Sequence, residues 1–329
     1  MATILPSGAG LPPFVDCPSP QTLPGPVQFL NVTMTSFILR ADLSKLQDLC
    51  TKLIERPSGG AVRFRPLLPY VIMSFTDLPH GFFVNFANQG IASERELALG
   101  IPGMYEVVQG SAVVERSLGL VMPFLFLDNP VALMTGRENF GYFKQHGAIR
   151  LPSDPGSNGF SAEVYGCQSF HTKAHWGPAC LTTLARTGVV PAVADAALEA
   201  KLGLSWAETV AAALGARDAL LTPDNLAAGR VTPVIADFLV PKLPQIFLKQ
   251  FRDIADGRRA CYQAVTQSKY ALTSIPIIVV ESNHSFHLTP LDSTPIAEAL
   301  GLAPATETGL GVRISMDMRL ENGRVLWQA

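Results

Sequence analysis

The stretch "LDNPVALMTGRENFGYFK", Leu127 to Lys144, places a lysine directly behind Tyr142 and Phe143, after an apolar run, "LGLVMPFLFL" (Leu118 to Leu127), that is built for burial. Lysine ammonium groups normally reach water. Where apolar surroundings prevent that, the amine is driven towards its neutral, nucleophilic form. An unperturbed lysine, with a pKa of about 10.4, is almost wholly protonated at neutral pH, and burial lowers that value to ~5–6 in extreme cases. Lys144 is therefore the candidate nucleophile, with the two aromatics and the preceding strand supplying the burial. The competing reading is a strand-end ammonium in water.

The rest of the chain bounds what such an amine would serve. With 329 residues, 48% hydrophobic and 16% charged, the chain can bury a large core. Its 25 basic residues against 27 acidic give a formal net charge of -2, which leaves no electrostatic footprint for nucleic acid or for an anionic membrane. A small-molecule partner is expected. The 5 cysteines, an odd number with no C-x-x-C pair, read as reduced thiols. The opening "MATILPSGAGLPPFVDCPSP" has no basic segment before an apolar run, and no apolar run reaches the ~20 residues of a membrane span. A cytoplasmic protein is expected.

Residues 1–26, rich in proline and glycine, read as an extended N-terminal arm. Residues 27–329 then read as one domain. Strand-forming text follows in "VQFLNVTMTSFILR", "VRFRPLLPYVIMSF", "GFFVNFA", "SLGLVMPFLFL" and "SAEVYGCQSF". One helix interrupts it, where "ADLSKLQDLCTKLIE" sets Leu43, Leu46, Leu49, Cys50, Leu53 and Ile54 at helical spacing on one face. Alanine and leucine take over at about 181–243, where "PAVADAALEAKLG" and the capping box of "SWAETVAAALG" predict a helical insertion. Strand text returns to the end, and "ENGR" (Glu321 to Arg324) reads as a two-residue hairpin turn. Many short strands, few helices and no strand-helix alternation predict an α+β fold that is mainly antiparallel.

The Leu127–Lys144 stretch resembles the acetoacetate decarboxylase superfamily, in which a strand bearing L-D-N leads through G-R-E to an aromatic residue and then to a Schiff-base lysine. Here these are Asp128-Asn129, Gly136-Arg137-Glu138, Tyr142 and Lys144. A weaker echo, "FLKQFRDIADGRRACYQ" (Phe247 to Gln263), is similar to a later segment of the family. The resemblance implies a cone or barrel of antiparallel strands with the amine inside it. It also implies a carbon-carbon lyase that decarboxylates a keto acid through an iminium on Lys144, as a homo-oligomer with no cofactor, metal or membrane partner. Glu96 matches the family's catalytic acid, with Glu94 competing for the role. Arg137, Glu138, Tyr142, Tyr262 and Gln263 would support the lysine or line the cavity.

The chain departs from the family at Gln145, where the decarboxylases carry a second lysine, so burial alone would have to lower the amine's pKa. Alignment also puts Val32 and Val71 where an arginine and a glutamate are expected. Those losses keep two alternatives open: aldol or dehydration chemistry on a 2-oxo acid through the same iminium, and a non-catalytic ligand-binding protein. The close pairs His171/His175 and His284/His287 lack the rest of a metal signature.

Overall fold

Alternation of branched and aromatic residues makes the chain strand-forming from Val27 onward. The computed structural model describes residues 13–16, 22–187, 243–281, 283–308 and 311–329. β1 (Val27–Arg40) leads into α1 (Leu43–Cys50), whose first turn is capped by Asp42, the carboxylate accepting from the Ser44 and Lys45 amides at 2.8 and 3.3 Å. The helix continues through one wider turn to Glu55 and buries Leu46, Cys50 and Ile54, as its spacing predicts, while Leu43, in its first turn, stays exposed.

β2 (Val62–Pro66), β3 (Tyr70–Phe83), β4 (Ala92–Gln109) and β5 (Ala112–Leu127) follow, with β4 pairing antiparallel with all three of the others. The short helix α2 (Pro130–Thr135) then carries the chain across to β6 (Lys144–Arg150), which lies parallel to β5. This is an exception to the antiparallel expectation: parallel neighbours need a crossover, and α2 is part of it. β7 (Gly159–Gly166) and β8 (Gly177–Arg186) extend the sheet.

Beyond residue 242 come β9 (Gln245–Arg252), β10 (Ala260–Ser268), β11 (Tyr270–Leu272), β12 (Ile277–Glu281), β13 (His284–Leu288), α3 (Ile296–Leu300), β14 (Ala305–Glu307), β15 (Gly311–Leu320) and β16 (Arg324–Gln328). Among the described residues the 16 strands form one sheet, running from β11 through β15, β1, β3, β4, β5, β6, β7, β8 and β13 to β14. β9, β10 and β16 branch from β5, and the two ends of the path do not pair with each other. The mainly antiparallel character is as predicted. The pairing is that of an open sheet, and the closed barrel is not what these hydrogen bonds form.

Apolar side chains gather in two layers. One holds Phe37, Phe64, Phe75 and Phe126, and the other holds Val32, Met34, Ile72, Phe247 and Met318. Three local expectations need correction. The strand expected in "GFFVNFA" stops at Phe83, and residues 84–89 form 3-10 turns closed by Gly90 at φ +102. The hairpin at "ENGR" does not form, because β15 pairs with β1, β11 and β12 whereas β16 pairs with β10. Residues 181–186 complete β8, where Leu181 and Leu184 join the first apolar layer, and 188–242, the bulk of the expected helical insertion, lie outside the described residues. No helix among the described residues is long and apolar enough to cross a membrane.

Where β2 crosses β4, the Phe64 ring lies over Gly103 so closely that a Cβ there would sit 2.2 Å from the ring and 2.6 Å from the Arg65 carbonyl. Gly103→Ala is expected to cost ~1–3 kcal/mol, the scale of overpacking a dense core, measured by urea unfolding. An unchanged midpoint would contradict this packing.

Candidate active site

Glu94 and Glu96 lie two residues apart on β4, so strand alternation puts both carboxylates on one face and Arg95 on the other. Arg95 is held there by Asp154 at 2.8 Å and Asp77 at 3.5 Å. Its amide donates to Asp128 Oδ1 at 2.8 Å. The next residue, Asn129, caps α2: its Oδ1 accepts from the Val131 and Ala132 amides at 2.9 and 3.1 Å, while its Nδ2 donates to the Ser93 carbonyl at 2.8 Å. Asp128 and Asn129 thus tie the end of β5 and the start of α2 to the strand that carries the acids.

The lysine is placed from the other end of the same crossover. After α2 the chain makes a wide turn, reverses at Gly141 with φ +86, and the Tyr142 amide donates back to the Gly136 carbonyl at 3.1 Å. Arg137 Nη1 donates to the Lys144 carbonyl at 2.9 Å, and Lys144 sits opposite Leu125 where β6 joins β5. The lysine stem runs over Gly136, where a Cβ would lie 2.5 Å from Lys144 Cδ. Any side chain at that position would displace the amine. Nζ ends 2.9 Å from Glu96 Oε1, 3.4 Å from Glu94 Oε2 and 5.4 Å from the centre of the Tyr142 ring.

Lys144 is 7% exposed and Glu94 6%, so the electrostatics are those of a dry site. Burial pushes the amine's pKa down, as the sequence predicts. The Glu94 and Glu96 carboxylates outweigh it and hold the amine above the ordinary lysine range. The expected depression is therefore reversed, and the cause is two acids within 3.4 Å of one nitrogen. Burial also pushes Glu94 up to about 7, with Lys144 opposing and Glu96 adding to the rise. The Tyr142 and Tyr270 phenols are both raised by burial.

Two small cavities, of about 70 and 30 Å³, meet at Tyr142 and Tyr270. The larger has Met34, Ile72, Met122 and Met318 among its walls, with Ser74, Thr76, Glu96 and Gln245 among its polar members. The smaller contains Lys144, Glu94, Thr135 and Gly136. The Tyr142 hydroxyl donates to Gln245 Oε1 at 2.7 Å and accepts from Ser268 Oγ at 2.9 Å. Chemically this is a primary amine with one carboxylate poised to change its protonation near neutral pH, a second in close ion contact, and an apolar wall.

Among the remaining sequence candidates, Arg137 supports the lysine backbone and does not line either cavity. Glu138 lies in a separate outer pocket of about 280 Å³ with Lys249. Gln145 is exposed on the opposite face of β6. Tyr262 packs beside Lys249, 5.6 Å from Nζ, and Gln263 Nε2 donates to Gln250 Oε1 at 2.9 Å. Neither lines the two cavities: both lie in the first half of β10, paired with Phe251 and Gln250, whereas the strand meets the site at its other end, through Ser268. Val32 lies in the apolar layer on the site side, but Val71 packs in the opposite layer, and its neighbour Ile72 faces the cavity. Gln245, Ser268, Tyr270 and Thr135 were not singled out from the sequence. His171 sits in a bend, accepting from the Lys173 amide at 3.3 Å, and among the described residues no three His, Cys, Asp or Glu side chains cluster as metal ligands would.

No family model and no curated protein sequence matches the chain. Solved structures do. Acetoacetate decarboxylase from Legionella pneumophila superposes with a TM-score of 0.55 at 15% identity, covering 98% of this chain and 94% of that one. An acetoacetate decarboxylase-like enzyme from Sphingomonas wittichii RW1 gives 0.54 at 15% identity, with 98% and 100% covered. The enduracididine biosynthesis enzyme MppR complexed with pyruvate gives 0.50 at 16% identity, with 94% and 93% covered. The acetoacetate decarboxylase-like, mainly β fold implied by the sequence resemblance is the fold found, with the sheet open where the resemblance implied a barrel.

The raised Glu94 pKa has a consequence for stability. Between its ordinary value of about 4.5 and its folded value of about 7, Glu94 holds a proton in the folded chain that it has released in the unfolded chain. Its contribution to stability is thus complete below the lower value and is lost as pH rises through the window. Glu94→Gln should flatten that fall, as measured by urea unfolding at a series of pH values. Parallel pH profiles for the two proteins would contradict the assignment.

Proposed function

The chain has the acetoacetate decarboxylase-like fold, and on that premise we propose that it is a Schiff-base lyase that decarboxylates a keto acid through Lys144. The observation that carries this reading is the buried amine held between Glu94 and Glu96 beside an apolar cavity. The resting amine is an ammonium ion, so a proton must leave before attack. Glu94, with a pKa of about 7 and an oxygen 3.4 Å away, is the acceptor. Entry of an apolar substrate group removes residual water and favours the neutral pair over the ion pair.

The free amine then adds to the ketone carbon, and the carbinolamine loses water to give an iminium whose positive charge sits against Glu96. The bond to the carboxylate breaks, its electron pair enters the iminium, and carbon dioxide leaves. The enamine is protonated on carbon, and water hydrolyses the resulting iminium to free Lys144. The iminium is itself the electron sink, so the scheme needs no external cofactor. Lys144 is the one basic residue among those lining the two cavities. A substrate carboxylate there lacks a second cationic clamp and gains by becoming neutral carbon dioxide.

A second reading, aldol or dehydration chemistry on a 2-oxo acid through the same iminium, draws on Gln245 and the Tyr142 hydroxyl, which are able to hold a substrate hydroxyl beside the amine. That MppR was captured with pyruvate points the same way. Product analysis separates the two, since only the first releases carbon dioxide.

With a panel of β-keto and 2-oxo acids, borohydride is expected to leave a reduced adduct on Lys144, located by intact mass and peptide mapping. Lys144→Ala should abolish the adduct and lower turnover by ~10³-fold or more, the scale of deleting a nucleophile. Ligand binding with no adduct from any keto acid would favour the non-catalytic alternative instead.

A further inference from the structure

Thr135 ends α2 one residue before the glycine over which the Lys144 stem lies. It is 4% exposed, and its Oγ1 is the one buried side-chain nitrogen or oxygen among the described residues without a hydrogen-bond partner. A helical threonine ordinarily satisfies its hydroxyl on a carbonyl one turn back. Thr135 does not, and an unpartnered buried hydroxyl destabilises the fold. Valine, of the same shape, would remove that cost. The hydroxyl therefore has a use for which the folded chain alone offers no partner.

Its location identifies that use. Thr135 lines the smaller cavity together with Glu94, Gly136 and Lys144. At about 30 Å³ this space admits a water molecule, and Thr135, Glu94 and Lys144 bring polar groups to walls that also include Phe29, Phe83 and Phe140. The larger cavity, which Glu96 lines, offers about 70 Å³ for the carbon skeleton, and the smaller, which Thr135 and Glu94 line, is left for the carbonyl oxygen.

We propose that Thr135 is a further catalytic residue, its hydroxyl binding the carbinolamine oxygen that departs as water on the Glu94 side of Lys144, and later the water that hydrolyses the product iminium. This rests on the lysine-imine reading above. In the forward step the nitrogen lone pair forms C=N as the C–O bond breaks. The bonding pair stays with oxygen, which takes the proton that Glu94 received from the Lys144 ammonium and leaves as water. Hydrolysis runs the same transfers backwards, with Thr135 holding the attacking water while Glu94 takes its proton.

The test uses the full chain, acetone as probe, and two readouts: exchange of the acetone oxygen with ¹⁸O-labelled water, and borohydride trapping on Lys144. Oxygen exchange requires carbinolamine formation and collapse but no carbon-carbon cleavage. Thr135→Val and Thr135→Ala are expected to slow both by roughly tenfold to a hundredfold, the effect of losing one hydrogen bond to a group that gains charge. Thr135→Ser should stay close to wild type, and Thr135→Val should unfold at a higher temperature. If the valine or alanine variant matches the serine variant in exchange and trapping, the hydroxyl is only a packing group and the inference is overturned. If the wild-type protein traps neither acetone nor any keto acid, the imine reading itself fails, and this step with it.

Discussion

A buried lysine ammonium locked between two carboxylates, one buried and one nearly so, is the interaction around which the molecule is organised. Moving each such ion out of water costs several kcal/mol, and the mutual attraction recovers that only when the geometry is good. Here one contact is 2.9 Å and the other 3.4 Å, in a site where Lys144 and Glu94 are both less than a tenth exposed. An apolar trio of similar volume would fold at least as well. The ions make sense as stored chemistry: an amine in contact with two carboxylates, one of them, Glu94, pushed up by burial towards neutral pH.

The scaffold answers to that demand. β4 must present two acids on one face, and Arg95 between them is anchored on the other by Asp77 and Asp154. β6 must deliver the lysine from a neighbouring strand, and the parallel pairing with β5 requires the α2 crossover. Asp128 and Asn129 fasten that crossover to β4, Gly136 leaves room for the lysine stem, and Gly141 reverses the chain. The L-D-N and G-R-E stretches are thus a mechanical frame for the amine. Arg137 belongs to this frame through the Lys144 carbonyl and not to substrate binding.

What was legible from sequence follows from what is local. β1 and α1 are read from spacing, since a period of two or of 3.6 is written in the chain itself, whereas Glu96 comes from the family pattern with Glu94 as its rival and nothing local sets them together on one strand. The position of Lys144 was readable from its motif. The direction of its pKa was not, because that depends on where Glu94 and Glu96, some fifty residues away, meet the amine. Tyr262 and Gln263 do not line the cavities, because the motif around them marks β10 but does not say that the strand's far end, at Ser268, is the one that meets the site. The parallel β5–β6 pair and the failed "ENGR" hairpin share one cause: strand partners are chosen by the whole sheet, and a local turn signal yields to them. Thr135 was adjacent to the motif, yet nothing in its neighbours announces that its hydroxyl stays unpaired.

The most direct measurement is a pH titration of the Lys144 side chain by NMR, with lysine labelled at Cε and Nζ and the resonance assigned through Lys144→Arg. The expected result is an ammonium signal that persists past the ordinary lysine midpoint of about 10.4, because the two carboxylates outweigh burial. An amine that is already neutral at pH 7 in the resting protein would contradict it, and would mean that burial, not the acids, governs the site.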